Sequence, residues 1–385
     1  MQLLSSLRRV LIGFEGKSSP LVTAAIMPRR RKHGGKTFQA DGSDPFALQN
    51  VVKKIESFAP RELAEPWDNV GLLVAPTTPV PIKRVLLTND LSEVVLEEAV
   101  NDVSPQLIIS YHPLIFPSFK SLNSRNWKER IVSTLAERQI GLYCPHTAWD
   151  AVEGGVNDWL AGAFGPNATV GPLKHHGGGA NLKAVYALFR NAEEADKAIA
   201  DLNSALSCSV NSVVQRDGKI CLKIDIENEY LCLPYIRPAL DVHIANQQTV
   251  SARENAGVGR MVNLKEKITL QQAVELVKGH LGLQDVAVAV VPEEKYEESL
   301  IQDIAICAGS GGSVLKGVQA DLYFTGEMSH HEVLDAVHKG MHVILTRHSN
   351  SERGFLQIAK EHLKRLMPEI EFVVSSKDKD PLETK

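Results

Sequence analysis

From residue 44 onward, short runs of apolar residues alternate with stretches whose apolar positions recur every three or four residues. RVLLTND (84–90), LIISYH (107–112) and GLYCPH (141–146) are apolar runs too short for helices, and they read as buried strands. The stretches SEVVLEEAVND and WKERIVSTLAERQ between them carry helical spacing. The alternation returns in IQDIAICAGS (301–310), ADLYFTGE (320–327), MHVILTRH (341–348) and EIEFVVSS (369–376), with helices expected near 328–339 and 353–366. Strands alternating with helices predict an α/β fold of two lobes, each a mostly parallel, doubly wound sheet. Ahead of the first strand, SDPFALQNVVKKIESFAP predicts a helix capped by Ser43 or Asp44, with Pro45 in its first turn and Pro60 as its stop.

A different texture separates the lobes. It opens at the glycine-rich KHHGGGAN (174–181) and continues as a strand in AVYALFR and a helix in AEEADKAIADLNSAL. A hairpin turning at Asp217 and Gly218, a second helix near 228–238 and a strand in DVHIANQ follow. This order, β-α-β-β-α-β, predicts an inserted ferredoxin-like α+β module. ITLQQAVELVKGHLGL (268–283), an amphipathic helix behind a threonine cap, returns the chain to the second lobe. The expected organisation is a basic flexible or targeting segment at 1–43, a first α/β half at 44–172, the inserted module at 173–262 and a second α/β half at 263–385.

Composition narrows the function classes. A chain of 385 residues can bury one or two substantial cores, and a net charge of -4 offers no global attraction to nucleic acid. The five cysteines (Cys144, Cys208, Cys221, Cys232, Cys307) are scattered without a CxxC pair, which argues against a disulfide framework or a thiolate zinc site and for a reducing compartment. No run approaches the roughly 20 apolar residues of a membrane span. The arginine-rich beginning, with Glu15 its only acid through residue 36, reads either as a mitochondrial presequence or as a disordered basic tail whose PRRRK is a weak nuclear signal. Cytoplasmic, mitochondrial and nuclear locations all stay open, and the segment is expected to lie outside the fold.

The candidate chemistry sits where strands end, the place where open α/β sheets collect their ligands. One strand delivers Tyr111 and His112, a second His146 and Asp150, a third Glu327, and a fourth His348 and Glu352. A lone histidine there is more often a helix cap or a half-buried side chain with a carbonyl partner. Four strands ending in imidazoles or carboxylates point instead to a site for zinc, manganese or iron bound through nitrogen and oxygen. A helix beginning near Ser351 would put Glu352 in its first turn, where the dipole favours an anion and a carboxylate could bridge two cations about 3.5–4 Å apart. The chain has no complete G-x-x-x-x-G-K-[ST] phosphate loop, no G-x-S-x-G elbow and no complete HExxH. AGSGGSVLKG (308–317) reads either as an anion cradle or as a tight strand-to-helix turn that needs small residues.

Six ordered motifs carry a resemblance: AEPWDNVGLLV, SYHPLIF, PHTAWDAVEGGVNDWL, CAGSGGS, ADLYFTGEMSHHEVLDA and RHSNSERGF. Together they resemble the NGG-one-interacting-factor-three-like family, also catalogued beside a putative type-two GTP cyclohydrolase, over about residues 44–383, in the order and length of its animal members. The resemblance implies two α/β lobes around a dinuclear metal centre and assembly into homo-oligomers, from dimers to hexamers. It implies two divalent ions, zinc, manganese or iron, with His112, Asp150, His348 and Glu352 as metal ligands and with Tyr111, His146 and Glu327 as outer or weaker ones. His330 and His331 lie on a connecting helix. Many bacterial members read HHP where this chain reads YHP; the phenol of Tyr111, with an ordinary pKa near 10, is a poor ligand at neutral pH, so one metal position is expected to be weaker. Three function classes follow: a metal-dependent hydrolase of unknown substrate, a transcriptional co-regulator or adaptor that binds regulatory proteins, and a metal-handling or sensing protein. Neither direct nucleic-acid binding nor membrane insertion is expected.

Overall fold

Leu107–Ser110 and Gly141–Cys144 are buried along their whole length, as strands covered on both faces of a sheet must be. In the computed structural model, which describes residues 44–175, 183–206, 209–214, 219–226, 231–246 and 255–382, they lie inside a five-stranded sheet. Its order is Gly71–Val74, Gly141–Cys144, Leu107–Ser110, Arg84–Thr88, Glu371–Val374. The first pairing is antiparallel and the other three are parallel. Alternation divides the side chains between two layers. Val85, Leu87, Leu107 and Ile109 pack with the helices Leu48–Phe58 and Phe355–Leu366, while Leu86, Ile108 and Leu142 pack with Glu93–Glu98 and Trp127–Arg138. The last strand therefore comes from the far end of the chain and closes the first sheet beside Arg84–Thr88.

The second sheet has six strands in the order Ala287–Ala289, His342–Leu345, Leu322–Glu327, Leu300–Ser310, Arg260–Thr269, Thr169–Gly171. It is mixed rather than mostly parallel: only Leu300–Ser310, Leu322–Glu327 and His342–Leu345 pair in parallel, and the other three pairings are antiparallel. Ile304, Ile306, Phe324 and Ile344 from one face join Leu87 and Ile109 of the first sheet in a single apolar core. Trp149, fully buried, sits in that core edge-on to Phe58 and Phe355. A polar bond ties the lobes as well. The buried Arg260 meets both oxygens of Asp158, at 2.6 and 2.8 Å, and donates to the carbonyls of Val152, Gly257 and Gly259.

Between the lobes, Lys183–Phe189, Ser209–Val214, Ile220–Ile226 and Asp241–Asn246 form an antiparallel sheet in the order 241–246, 183–189, 220–226, 209–214. The helix Ala192–Ala205 buries Ala195, Ala198 and Leu202 on Val185, Ala187, Leu222 and Ile224. A second helix near 228–238 is not formed over its described part: residues 232–238 are turns and a bend. Pro234 and Pro238 each remove an amide donor and would clash with the preceding turn of a helix. The segment 1–43, the glycines of 176–181 and the turn at Asp217 lie outside the described residues.

Local chemistry decides where helices start. The first begins at Leu48, later than expected, because the Asp44 carboxylate accepts from Phe46 N and its carbonyl from Ala47 N, so that Asp44–Pro45 starts a turn instead. Thr269 and Ser329 do cap as their types suggest, each in a reciprocal box with Gln272 or Glu332. No helix among the described residues is long and apolar enough to cross a membrane.

Candidate metal centre

The ends of five neighbouring strands meet at one place. After Leu107–Ser110 the chain turns and presents His112, whose Nδ1 donates to Asp90 Oδ1 at 2.9 Å. After His342–Leu345 comes a 3-10 turn, Ser349–Ser351, closed by Ser351 Oγ on His348 O at 2.6 Å. Glu352 ends that turn and the α-helix starts only at Phe355, so Glu352 stands ahead of the helix rather than in its first turn. Its carboxylate is 3 % exposed and lies between two imidazoles: Oε1 is 3.2 Å from His348 Nε2 and Oε2 is 3.3 Å from His112 Nε2. Asn89 Nδ2 also donates to Oε2 at 3.2 Å, and His348 Nδ1 donates to Glu327 Oε1 at 2.8 Å.

This arrangement sets the protonation of the metal-free group. Burial alone would raise Glu352, but His112 and His348 outweigh it and hold the carboxyl down at about 2. Burial would lower His112, yet the Asp90 and Glu352 carboxylates push it up to about 10. The bond to Glu352 raises His348 to about 9, against its burial and with help from Glu327.

His112, His348 and Glu352 can each offer one atom such that all three atoms lie within 4.8 Å of one another, a nitrogen and oxygen donor set able to hold a divalent ion. Two observations test that fit. His112 Nε2 is buried and, although 3.3 Å from Glu352 Oε2, finds no hydrogen-bond partner among the described residues, an arrangement that costs free energy unless something else satisfies that nitrogen. Gly309, at φ 61°, brings its backbone so close that an added Cβ would lie 2.6 Å from Glu352 Oε1 and 3.1 Å from His348 Nε2. The site thus keeps side-chain bulk out of the space beside its donors.

The other expected residues surround this trio without joining it. Asp150 accepts a short hydrogen bond from the hydroxyl of Tyr111, which is 2 % exposed, and burial raises its carboxyl to about 6 despite the nearby His146 and His112. Tyr111 is driven upward by burial and by the Asp150 and Glu352 charges, so it is a neutral donor to Asp150. His146 stacks edgewise 5.4 Å from His112 and donates Nδ1 to Asp68, which also accepts from Thr147 Oγ1 at 2.6 Å. Glu327 backs His348. His330 and His331 lie exposed at the start of the helix His330–His338. The glycines after Gly309 serve close packing: a Cβ on Gly311 would meet Thr325, and one on Gly312 would meet the Glu332 carboxylate, a poor setting for an anion.

Asp68, Asn89 and Asp90 escaped the sequence reading. Asp90 ends a strand run exactly as His112 does, so the strand-end rule applied to RVLLTND would have found it; Asp68 lies within the WDN motif. Beside the trio opens a cavity of about 620 Å³ lined by His112, Glu327, Arg347, His348, Asp380 and Leu382, among others. His146 and Arg347 hold positive φ, 33° and 72°, a costly backbone for side-chain-bearing residues that concentrates at functional sites.

A family model described as Duf34/NIF3 (NGG1p interacting factor 3) matches residues 46–381. NIF3-like protein 1 of Rattus norvegicus is 38% identical over 376 residues, covering 94% of this chain and 99% of the relative. NGG1-interacting factor 3 of Saccharomyces cerevisiae is 34% identical over 349 residues, covering 87% and 96%. The chain belongs to the Duf34/NIF3 family. Among solved structures, a Bacillus cereus protein related to NIF3 superposes with a TM-score of 0.62 at 24% identity, over 88% of this chain and 99% of that one. Reduced HcgD from Methanocaldococcus jannaschii does so at 0.55 and 21%, over 86% and 98%. At these identities the likeness shows the fold.

Proposed function

We propose that this chain is a metal-dependent hydrolase acting through a centre of two divalent ions, with zinc, manganese or iron as the ions of choice. The observation that carries the reading is Glu352, a buried carboxylate whose two oxygens face two imidazoles from opposite lobes, one of them with an unsatisfied nitrogen. His112, His348 and Glu352 would hold the ions, and Asp150 would supply a further carboxylate. Bound divalent ions supply Lewis acidity to hydrolysis. The chain's own residues do the rest. Asp90 and Glu327 orient the imidazoles by their second nitrogens, as outer carboxylates commonly do at metal sites. Tyr111 holds Asp150, and Asp68 holds His146. The adjoining cavity offers room for a small organic substrate.

Because Tyr111 takes the place where many bacterial relatives have a second histidine, the two metal positions should differ in affinity. The fold would act as a homo-oligomer with the inserted ferredoxin-like module at its periphery, in the cytoplasm, the mitochondrion or the nucleus. A second reading, an adaptor for transcription-regulatory proteins, is favoured by the name of the yeast relative. One experiment separates them: purified protein loaded with zinc, manganese or iron, measured by elemental analysis, then screened on nucleotide, phosphoester and amide panels beside Glu352→Gln. Metal uptake and turnover that Glu352→Gln abolishes support the hydrolase; a chain that takes up no metal after reconstitution refutes it.

A further inference from the structure

The last described residues form a strap over the back of the site. Glu98, buried on the helix Glu93–Glu98, accepts from Ser375 Oγ, Ser376 N and Ser376 Oγ and pins its beginning. Asp380 accepts from Ser349 Oγ at 2.5 Å, and the Leu382 carbonyl accepts from Arg347 Nη1 at 2.8 Å, fixing its end against the loop that carries His348. Between these anchors is Asp378, whose side chain is 3 % exposed.

The partners of Asp378 come from both lobes. Oδ2 accepts from Asn89 N at 2.8 Å and Oδ1 faces Asp90 N at 3.5 Å, while the same carboxylate meets Arg353 Nε at 3.3 Å and Nη2 at 3.4 Å. Asn89 and Asp90 are the residues that touch Glu352 and His112, and Arg353 directly follows Glu352. A buried carboxylate with charged and amide donors on two sides fixes both in place, since moving either leaves a desolvated charge. Resting on the metal reading given above, we propose that Asp378 is a positioning residue that clamps the Asn89–Asp90 turn to the 348–353 loop and so holds His112 and Glu352 at metal-binding distance. The residue touches no donor atom of the trio; it acts on the two loops that carry them.

The test uses the full chain with Co²⁺ alone as probe, read by its visible absorption, and with amide hydrogen exchange of the metal-free protein. Asp378→Asn keeps the size of the side chain and removes its charge; Leu202→Ala, in the inserted module's core, serves as a destabilised comparison. Asp378→Asn should weaken Co²⁺ binding tenfold or more, alter its spectrum, and speed exchange at 88–91 and 347–354. Leu202→Ala should lower the melting temperature while leaving all three readouts unchanged. Unaltered affinity, spectrum and exchange in Asp378→Asn overturn the proposal, as does an equal loss of Co²⁺ affinity in Leu202→Ala. If Asp378→Asn does not fold, Asp378→Glu, which keeps the charge but displaces it by one methylene, is judged by the same criteria. Should the unmodified chain take up no Co²⁺, the metal reading itself falls, and the exchange comparison alone decides whether Asp378 clamps the loops.

Discussion

Adding a single methyl group at Gly309 should damage the candidate site more than adding one at an equally left-handed glycine elsewhere. Gly309 has φ 61° and its Cβ would lie 2.6 Å from Glu352 Oε1, whereas Gly340 has φ 86° and nothing within 4 Å of the same position. Both alanine substitutions carry the left-handed penalty of about 1–2 kcal/mol. Only Gly309→Ala also pushes Glu352 away, and that carboxylate has nowhere to go while it faces His348, His112 and Asn89. Losing one charge-assisted hydrogen bond adds about 1.5–3 kcal/mol. If the same displacement acts on a bound ion, affinity falls by about 10- to 100-fold, since each 1.4 kcal/mol is a factor of ten. Urea unfolding of the metal-free proteins and zinc titration measure the two effects. Indistinguishable stability and zinc affinity for Gly309→Ala and Gly340→Ala would refute the view that this backbone is cut close to make room for the donors.

The pH dependence of the metal-free protein has a worked sign. Glu352, held at about 2 rather than 4.5, contributes stability that is full above pH 4.5 and lost as pH falls toward 2. His112 and His348, raised from 6.5 to about 10 and about 9, contribute stability that is full below pH 6.5 and lost as pH rises through 9–10. Melting temperature against pH should show both flanks, and metal uptake should release protons and tighten as pH rises, because the imidazoles must first become neutral. Arg260→Met should cost about 3–5 kcal/mol in urea unfolding by leaving Asp158 and three carbonyls without their partner. Tyr111→Phe should raise the Asp150 carboxyl further above its burial-shifted value of about 6, seen by NMR titration, because the hydroxyl favours the charged form.

Strand ends were the legible part of the site. His112, His348 and Glu352 could be found because each follows a run apolar enough to be a buried strand, and polar chemistry at such ends is concentrated by the fold. The position of Glu352 relative to its helix was not legible: SNSERG contains good cap residues, but Ser351 spends its hydroxyl on His348 O and Ser349 on Asp380, so a tight turn forms first. Asp378 was hidden for a different reason. SSKDKDPLETK has the composition of a solvated tail, and only contacts made in the fold, with Asn89 nearly three hundred positions away and with Arg353 and Ser349, turn its acids inward. The mixed second sheet was unreadable too, since apolar runs fix which residues are buried but carry no strand direction.

The strand Glu371–Val374 has a consequence for how the protein comes into being. Its partner is Arg84–Thr88, and the pair Arg84 and Glu371 is separated by 287 positions along the chain. During synthesis the first strands of this sheet are made early but keep an open edge at Arg84–Thr88 until residues 371–374 have been made. Pairing at such a separation carries a large loop-closure cost and slows folding. A ribosome that stops before residue 371 therefore releases a chain with one unpaired parallel edge, an aggregation-prone surface. Closure of the first sheet therefore waits until the loop that carries His348 and Glu352 has already been made.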